Sequence, residues 1–352
     1  MRLLFTVSAL ALCLPLMACG DNSGSEAPEP ASAGADADMV AATAGDAEAE
    51  SAAQPDGETP DDGSDGTAAY AGTAETEAGA EEGAATGENA GLSTEPETGS
   101  LAWAVAGEWR ADAVVRDVWR HPRETLEFFG VDPSGTIVEI WPAGGWYTQV
   151  LAPWIAANGG TYVAAHFDPA GNDQTQAFID SYAERFSAPL FGEIEIASFG
   201  PDTGPIVPEG SADAVLTFRN VHNWMARGFE EKAFADFYAA LRPGGILGVV
   251  EHRLPASQPQ DPRAANGYVQ EDYVIALATE AGFELVGSSE INANPADTTD
   301  HPFGVWTLPP VLRSSPRGEE PDPDFDRSPY ETIGESDRMT LLFRKPESTG
   351  AE

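Results

Sequence analysis

The 352-residue chain carries 58 acidic and 18 basic residues, which gives a formal net charge of −40 at pH 7. Binding to nucleic acid needs lysine and arginine to neutralise phosphates, so this composition excludes a nucleic acid as partner. The two cysteines, Cys13 and Cys19, both lie near the N-terminus, which excludes a disulfide framework in the rest of the chain.

Residues 1–19 are predicted to be a signal peptide. Arg2 precedes a continuous apolar run that is too short to span a membrane stably, and Leu16-Met17-Ala18-Cys19 ends it. This ending resembles a bacterial lipoprotein signal, in which the cysteine is acylated and becomes the new N-terminus. We therefore expect Cys19 to anchor the protein to a membrane of the cell envelope, at the outer membrane or the periplasmic face of the inner membrane. The alternative is an ordinary signal peptide with an incidental cysteine.

Residues 20–100 are predicted to be a disordered acidic linker. They contain 20 Asp or Glu and no Lys or Arg, and Tyr70 is their one aromatic residue. Such a segment buries too little apolar surface to offset the entropy lost on ordering. All eight tryptophans follow residue 100, so the folded domain is predicted over 101–346, with a disordered tail over 347–352.

The domain is predicted to begin with helices that form a lid. Apolar residues at helical spacing predict one helix over Glu108–Arg120, and a second over Arg123–Phe129 that ends at Gly130. The segment Thr136–Gly145, read as TIVEIWPAGG, then predicts a strand followed by a turn of small residues. A strand, a small-residue turn and a helix begin an α/β nucleotide-binding fold.

Strands and helices alternate regularly after this turn. Strands are predicted over 136–141, 161–166, 193–198, 213–218, 246–251, 283–290 and 338–344, and helices over 146–157, 173–186, 229–241 and 268–281. Repeated strand–helix units predict a Rossmann-like α/β fold: a seven-stranded, mostly parallel sheet with helices on both faces. No helical pattern separates the last two strands, so we expect them to pair antiparallel. The Pro-rich residues 291–337 between them are too long for a bare connection, which is typical of a functional or disordered loop.

Several landmarks in this order resemble class I S-adenosylmethionine-dependent methyltransferases. They are the Glu139 strand with its turn, the strand Asp213–Phe218, and Leu241-Arg-Pro-Gly-Gly245 before an apolar strand. The segments WYTQVLAPW, FRNVHNWM, VVEHR, SEINANP and IGESDRM look like a bacterial group of predicted methyltransferases. The resemblance covers essentially 101–346 and implies S-adenosylmethionine as cofactor and a small molecule or an envelope component as methyl acceptor.

The resemblance also implies which residues hold the cofactor. Ala143, Gly144 and Gly145 would pass along its methionine part, and Glu139 would accept from, or orient, groups near it. The ribose hydroxyls would bind Asp168, or His166 two residues earlier. Asn220, just beyond the fourth strand, would lie over the methyl donor or the substrate.

The turn departs from the family pattern at specific positions. The family places glycines two, four and six residues after the acidic residue of the first strand. Trp141, Ala143 and Gly145 occupy those positions here. Trp141 is a large side chain where close approach of the backbone is expected.

Methyl transfer asks the protein to orient a nucleophile and, for some acceptors, to remove its proton. His222 and His252 are the candidate bases, since imidazole titrates near neutral pH, and Glu251 is a candidate to orient His252 or the substrate. Trp224, Tyr268 and Trp306 are candidates for the pocket wall.

A second hypothesis takes the same histidines as metal ligands. His166, His222, His252 and His301, together with acidic residues such as Glu251 and Asp300, follow strands whose carboxyl ends share one crevice. Imidazole and carboxylate groups suit zinc, iron or manganese, which would give an exported metal-dependent hydrolase. A third hypothesis is a non-catalytic ligand-binding module on the same fold.

Overall fold

The structure, a computed structural model, describes residues 95–347, and residues 1–94 and 348–352 lie outside this range. The predicted signal peptide with Cys19, most of the predicted acidic linker and most of the predicted tail are therefore outside the described residues. Between residues 95 and 347, no helix has the length and apolar character needed to cross a membrane.

Eight strands form the sheet of the domain. In chain order they are β1 (Thr136–Ile140), β2 (Thr161–Phe167), β3 (Ile194–Phe199), β4 (Ala212–Phe218), β5 (Leu241–Leu254), β6 (Val269–Gln270), β7 (Glu284–Ser289) and β8 (Arg338–Arg344). The order across the sheet is β3-β2-β1-β4-β5-β8-β7, and the two-residue β6 pairs with the end of β5. In the described sheet β8 pairs antiparallel with both β5 and β7, and all the other strand pairs are parallel. The predicted Rossmann-like fold with an antiparallel final strand is confirmed.

Nine α-helices accompany the strands in the described part of the chain. They are α1 (Leu101–Val105), α2 (Asp117–Arg120), α3 (Pro122–Phe129), α4 (Thr148–Asn158), α5 (Asp173–Arg185), α6 (Val221–Arg227), α7 (Glu230–Ala240), α8 (Glu271–Glu280) and α9 (Ser328–Ile333). Short 3-10 turns occupy Glu108–Arg110, Val114–Arg116, Pro189–Phe191 and Gly304–Thr307.

The single helix predicted over Glu108–Arg120 is wrong, because two 3-10 turns precede the four-residue α2 there. Distant backbone groups decide the local conformation. The indole of Trp109 donates to the carbonyl of Gln149 at 2.8 Å, and the indole of Trp146 donates to the carbonyl of Ala113 at 3.1 Å. These contacts outweigh the helical spacing of the apolar residues, and Val118 is left 65% exposed.

The sheet separates two apolar cores. One lies against α7 and α8 and is centred on Phe234, Phe237 and Leu247, and the other lies against α3, α4 and α5 and includes Leu126, Val150 and Tyr182. Because both faces of the sheet are covered, the edge formed by the carboxyl ends of the parallel strands is where this fold leaves room for a ligand.

Residues 291–337 fold over that edge. Apart from a 3-10 turn and α9 the segment is irregular, yet several of its polar side chains are buried, among them Asn292, Asp297 and Glu335. Asn294 donates to the carbonyl of Glu335 at 2.7 Å, and the Tyr268 hydroxyl donates to Asp297 at 3.0 Å. These bonds fix the segment as a roof over the edge, which we call the roof segment.

Candidate active site

A cavity lies at the carboxyl ends of β1, β4 and β5, beneath the roof segment. The strands and the loops after them contribute Glu139, Trp141, Ala143, Phe167, Arg219, Asn220, His222 and His252. The roof segment and the start of β8 contribute Trp306, Leu308, Pro309, Pro310, Ser336 and Arg338, and the N-terminal region contributes Arg120, Trp146 and Tyr147. The structure thus brings together the predicted segments after β1, β4 and β5.

Glu251 and His222 form a buried pair, of which His222 lines this cavity. The Oε1 atom of Glu251 lies 3.0 Å from Nδ1 of His222, and neither residue is more than 5% exposed. An ionised carboxylate only accepts hydrogen bonds, so Nδ1 carries the hydrogen and the lone pair is on Nε2. Glu251 also accepts from the backbone N–H groups of Val221 and His252, at 2.6 and 2.7 Å. Glu251 therefore fixes the ring of His222, whereas it meets His252 through its backbone.

His252 lies beside this pair and contacts the roof segment. Its ring is 5.4 Å from that of His222, centroid to centroid, and its Nδ1 atom is 2.5 Å from the hydroxyl of Ser336. Burial, followed by the electrostatic influence of the neighbouring His222 and Arg338, lowers the pKa of His252 well below its ordinary value. His252 is therefore neutral in the folded protein.

The turn after β1 keeps a glycine-like backbone without the first two glycines. Trp141 has a φ of 46° and Ala143 a φ of 52°, in the left-handed region that a bulky side chain rarely adopts. The Trp141 ring packs 4.6 Å from Phe167 and 5.8 Å from Phe199, centroid to centroid. Trp141 thereby covers the ends of β2 and β3, while Ala143 lines the cavity.

Glu139 belongs to a buried polar network next to the start of α4. Its Oε2 atom accepts a hydrogen bond from the Tyr162 hydroxyl at 2.5 Å. The hydroxyl of Thr148 lies 3.0 Å from that of Tyr162 and 2.9 Å from that of Tyr182. Glu139 also lines the cavity, so one carboxylate joins this network to the candidate site.

The two predicted ribose-binding residues do not line the cavity. His166 is fully buried on the opposite face of β2 from Phe167, with its ring 4.3 Å from that of Tyr182. Both of its ring nitrogens lack a hydrogen-bond partner, and burial lowers its pKa to about 3. Asp168 is half-buried and accepts from the backbone of Ala170 within its own turn.

The other residues predicted to bind the cofactor differ in whether they line the cavity. Asn220 lines it and donates to the carbonyl of Ile140 at 2.9 Å, which ties the end of β4 to the end of β1. Gly144 accepts from Arg185, and Gly145, with a φ of 84°, packs closely against Phe186. The last two are therefore turn residues directed toward α5.

The sequence did not single out a cluster of arginines at the β8 side of the cavity. The carboxylate of Glu335 accepts from Arg116 at 2.5 Å and from Arg120 at 3.1 Å, and also from Arg338. Burial alone would raise the pKa of Glu335, but the charges of Arg120, Arg338 and Arg116 outweigh it and hold the pKa well below its usual range. Arg120 and Arg338 line the cavity, as does Arg219.

Of the other residues predicted to lie at the site, one lines the cavity and the rest lie away from it. Trp306 lines the cavity, 6.0 Å from His222 between ring centroids. Trp224 is fully buried in the core against α7 and α8, and Tyr268 is fully buried in a small separate cluster with Leu254 and Val305. His301 pairs with Asp297 at 2.8 Å, away from the cavity lining.

No family model matches the sequence, and no curated protein matches it. Solved structures of similar fold include a SAM-dependent methyltransferase from Aquifex aeolicus, with 13% identity and a TM-score of 0.41 over 53% of this chain and 92% of that one. The [4+2]-cyclase SpnF has 16% identity and a TM-score of 0.47 over 65% of this chain and 82% of its own. A putative sarcosine dimethylglycine methyltransferase from Galdieria sulphuraria has 16% identity and a TM-score of 0.45 over 68% of this chain and 87% of that one.

The strand order places one antiparallel strand between β5 and β7 of an otherwise parallel, Rossmann-like sheet. The residues at the cavity fit the aminocarboxylate end of S-adenosylmethionine: Glu139 offers a carboxylate to an ammonium, and the turn at Ala143 leads to the N-terminus of α4, which favours an anion. The cavity wall also includes the aromatic side chains of Trp141 and Phe167, whereas the carboxylate of Asp168 does not line it.

His222, Glu251 and His252 also form a group with metal-ligand atoms within 4.8 Å of one another. Two features oppose a cation there. Glu251 is occupied by hydrogen bonds from His222 and three backbone N–H groups. The cavity is lined by three arginines, whose charges repel a metal ion.

Proposed function

We propose that this domain is an S-adenosylmethionine-dependent methyltransferase acting on a small molecule, with His222 as its general base. The observation that carries the proposal is the buried Glu251–His222 pair, because His222 lines the same cavity as Glu139 and the turn after β1. A base oriented by a carboxylate beside a cofactor-binding turn is suited to removing a proton from an acceptor as it reacts.

The bound cofactor would supply a methyl group on a sulfonium, which is already activated for transfer. Glu139 and the turn at Ala143 would hold its aminocarboxylate end, and the aromatic faces of Trp141 and Phe167 would lie against its nucleoside. Asn220 would fix the relative position of the cofactor and the acceptor, because it links the ends of β1 and β4.

His222 takes the acceptor's proton on Nε2, and Glu251 stabilises the imidazolium that results through the hydrogen bond at Nδ1. His252 stays neutral and lies alongside, since a second cation at that distance would oppose the charge that forms on His222. The roof segment, through Trp306 and Leu308, keeps water from the acceptor.

Titration of the purified full-length protein with S-adenosylhomocysteine in a calorimeter tests the proposal. We expect saturable heat with one site, and a tenfold or larger loss of affinity in Glu139→Gln. The matched control is Glu284→Gln, an exposed residue on β7, which should bind as the wild type does. Absence of heat with both S-adenosylhomocysteine and S-adenosylmethionine would overturn the proposal.

We also propose that the enzyme acts in the cell envelope, held to a membrane by a lipid on Cys19. The support is the sequence of residues 1–19, with its apolar run and terminal cysteine. Labelling of cells with a radioactive fatty acid should mark the protein, and Cys19→Ala should abolish the label and release the protein from the membrane fraction. Unlabelled wild-type protein would refute the anchor.

A further inference from the structure

The arginines at the β8 side of the cavity are unusual for this chain. Basic residues number 18 against 58 acidic ones, yet three arginines line one cavity: Arg120, Arg219 and Arg338. Among the residues that line it, Glu139 is the single carboxylate. The cavity therefore concentrates positive charge in a protein whose surface is strongly negative.

Glu335 lies beside these arginines. It is 2% exposed and pairs with the guanidinium groups of Arg116, Arg120 and Arg338 at once. One buried carboxylate is thus shared among three arginines, two of which line the cavity.

Arg338 carries the most specific sign of a missing anion. It is 2% exposed, and its two terminal nitrogens donate to Glu335 and to the carbonyl of Trp119. Its Nε atom is buried and has no hydrogen-bond partner. A buried donor without a partner is rare in proteins, and Arg338 is one of the residues that line the cavity.

The position of Arg338 in the sheet separates this donor from the cofactor end. Arg338 begins β8 and pairs in register with His252 at the end of β5, whereas Glu139 and the turn belong to β1. Two strands, β4 and β5, lie between β1 and β8, so the strand axes are about 14 Å apart at about 4.8 Å per strand. The roof segment contributes several apolar or aromatic side chains to the same cavity, among them Trp306, Leu308 and Val311.

We propose that the β8 side of the cavity is an oxyanion site, in which Arg338 and Arg120 bind a carboxylate or phosphate group of the methyl acceptor. The apolar roof residues would cover the body of the same molecule. The acceptor is thus a small organic anion whose reacting group lies at His222. Calling this anion the acceptor rests on the proposed function, but the oxyanion site itself does not.

Binding of simple anions to the full-length protein tests this site. Benzoate and phenyl phosphate are the probes, benzamide is the uncharged control, and the readouts are calorimetry and quenching of tryptophan fluorescence. We expect at least one anion to bind at least tenfold more tightly than benzamide. Whichever anion binds more tightly identifies the group as carboxylate or phosphate. Equal binding of benzamide, or no binding of either anion, would overturn the proposal.

Variants assign the binding to Arg338. Arg338→Gln should lower the affinity for the preferred anion tenfold or more. Arg338→Lys retains the charge but loses the paired N–H donors of the guanidinium, so it should recover part of that loss. The matched control Arg242→Gln, a half-exposed arginine paired with Asp213 at the opposite end of β5, should bind normally. If Arg338→Gln does not fold, two measurements still test the oxyanion site. They are the anion affinity of Arg338→Lys and the comparison of the anions with benzamide on the wild type.

Competition with S-adenosylhomocysteine separates this proposal from the proposed function. We expect the preferred anion and S-adenosylhomocysteine to bind together. If the anion displaces S-adenosylhomocysteine, and Arg338→Gln weakens both, the arginines hold the cofactor's carboxylate and this inference fails. If the anion binds and S-adenosylhomocysteine does not, the oxyanion site stands and the methyltransferase proposal fails.

Discussion

The indole Nε1 of Trp141 donates a hydrogen bond to the backbone carbonyl of Phe199, at 2.9 Å. This bond joins the turn after β1 to the end of β3 and holds the Trp141 ring over Phe167 on β2, which lies between them. The ring is 3% exposed although its backbone has a left-handed φ of 46°. Packing and the hydrogen bond therefore compensate for a strained backbone at the place where the nucleoside end of a cofactor would lie.

Replacing Trp141 should separate these two effects. Trp141→Ala loses the packing of the ring but keeps the strained φ, and we expect it to lower the free energy of unfolding by about 3–5 kcal/mol. Trp141→Gly loses the same packing yet relieves the strain, so it should be about 1 kcal/mol more stable than Trp141→Ala. Urea denaturation of the two variants measures the difference. A Gly variant less stable than the Ala variant would show that the left-handed backbone costs nothing.

The same substitutions should change cofactor affinity. Because the Trp141 ring would lie against the nucleoside of the bound cofactor, Trp141→Gly should bind S-adenosylhomocysteine more weakly than the wild type. Calorimetry on the folded variant measures the change. An unchanged or higher affinity would show that the Trp141 ring does not support the nucleoside.

Glu251→Gln should damage both stability and the ring orientation of His222. The carboxylate accepts from the Val221 and His252 N–H groups and from His222 Nδ1, and the amide of Gln directs an N–H₂ group toward some of these donors. We expect a loss of about 2–4 kcal/mol in the free energy of unfolding. Denaturation in urea measures it, with the exposed Glu284→Gln as control, which should change stability by less than about 0.5 kcal/mol.

Nitrogen NMR of the imidazole provides a second readout for Glu251. In the wild type the hydrogen of His222 should be on Nδ1, and in Glu251→Gln the fraction on Nε2 should rise. A wild-type ring already protonated on Nε2 would contradict the role of Glu251 as the orienting residue.

The strands of this domain could be predicted because their apolar runs are continuous. The strand predicted over 338–344 is β8, residue for residue, and β1, β2 and β4 differ from their predictions by one residue at an end. The segment Glu108–Arg120 could not be predicted in this way, because Trp109 and Arg110 are held by tertiary contacts. Arg110 donates to the carbonyl of Val105 and pairs with Asp117.

The sequence indicated which residues line the cavity where those residues lie near or beyond the end of a strand. It did not do so where the alternation of side chains along a strand decides which face a residue occupies. Glu139 and His252 lie within two residues of the ends of β1 and β5, Asn220 and His222 follow β4, and all four line the cavity. His166 also lies near a strand end, but the two-residue alternation of β2 directs it to the same face as Tyr162, away from the cavity. The Glu335 cluster joins residues more than 200 positions apart, and local spacing holds no signal of such pairing.

Tyr162→Phe should reveal how much Glu139 depends on its buried donor. The Tyr162 hydroxyl donates to Glu139 and contacts Thr148, so its removal leaves a 2%-exposed carboxylate with one donor fewer. We expect a loss of about 2 kcal/mol in the free energy of unfolding. The comparison is Tyr182→Phe, whose hydroxyl contacts Thr148 at 2.9 Å and is 3.5 Å from that of Tyr162, and which should cost less. If urea denaturation shows equal losses of stability in the two variants, the hydroxyl groups stabilise the domain through Thr148 rather than through Glu139.

His166 should make the domain sensitive to acid. Its pKa is lowered to about 3 by burial, whereas in the unfolded chain it has its ordinary value of 6.5. Below pH 6.5 the unfolded chain binds a proton that the folded protein does not, so the free energy of unfolding falls as the pH is lowered from 6.5 toward 3. Above pH 7 both states are neutral at this residue and its contribution to the pH dependence is zero. At about 1.4 kcal/mol per pKa unit, the full loss is about 5 kcal/mol.

His166→Phe removes this contribution while keeping an aromatic ring between Phe178 and Tyr182. Because neither nitrogen of His166 has a hydrogen-bond partner, the substitution breaks no hydrogen bond. We expect His166→Phe to match or exceed the wild type in stability at pH 7.5 and to exceed it by a growing margin from pH 6.5 to pH 4.5. Urea denaturation at each pH measures the margin, and a margin that stays constant would mean that His166 is protonated or hydrogen-bonded in the folded protein.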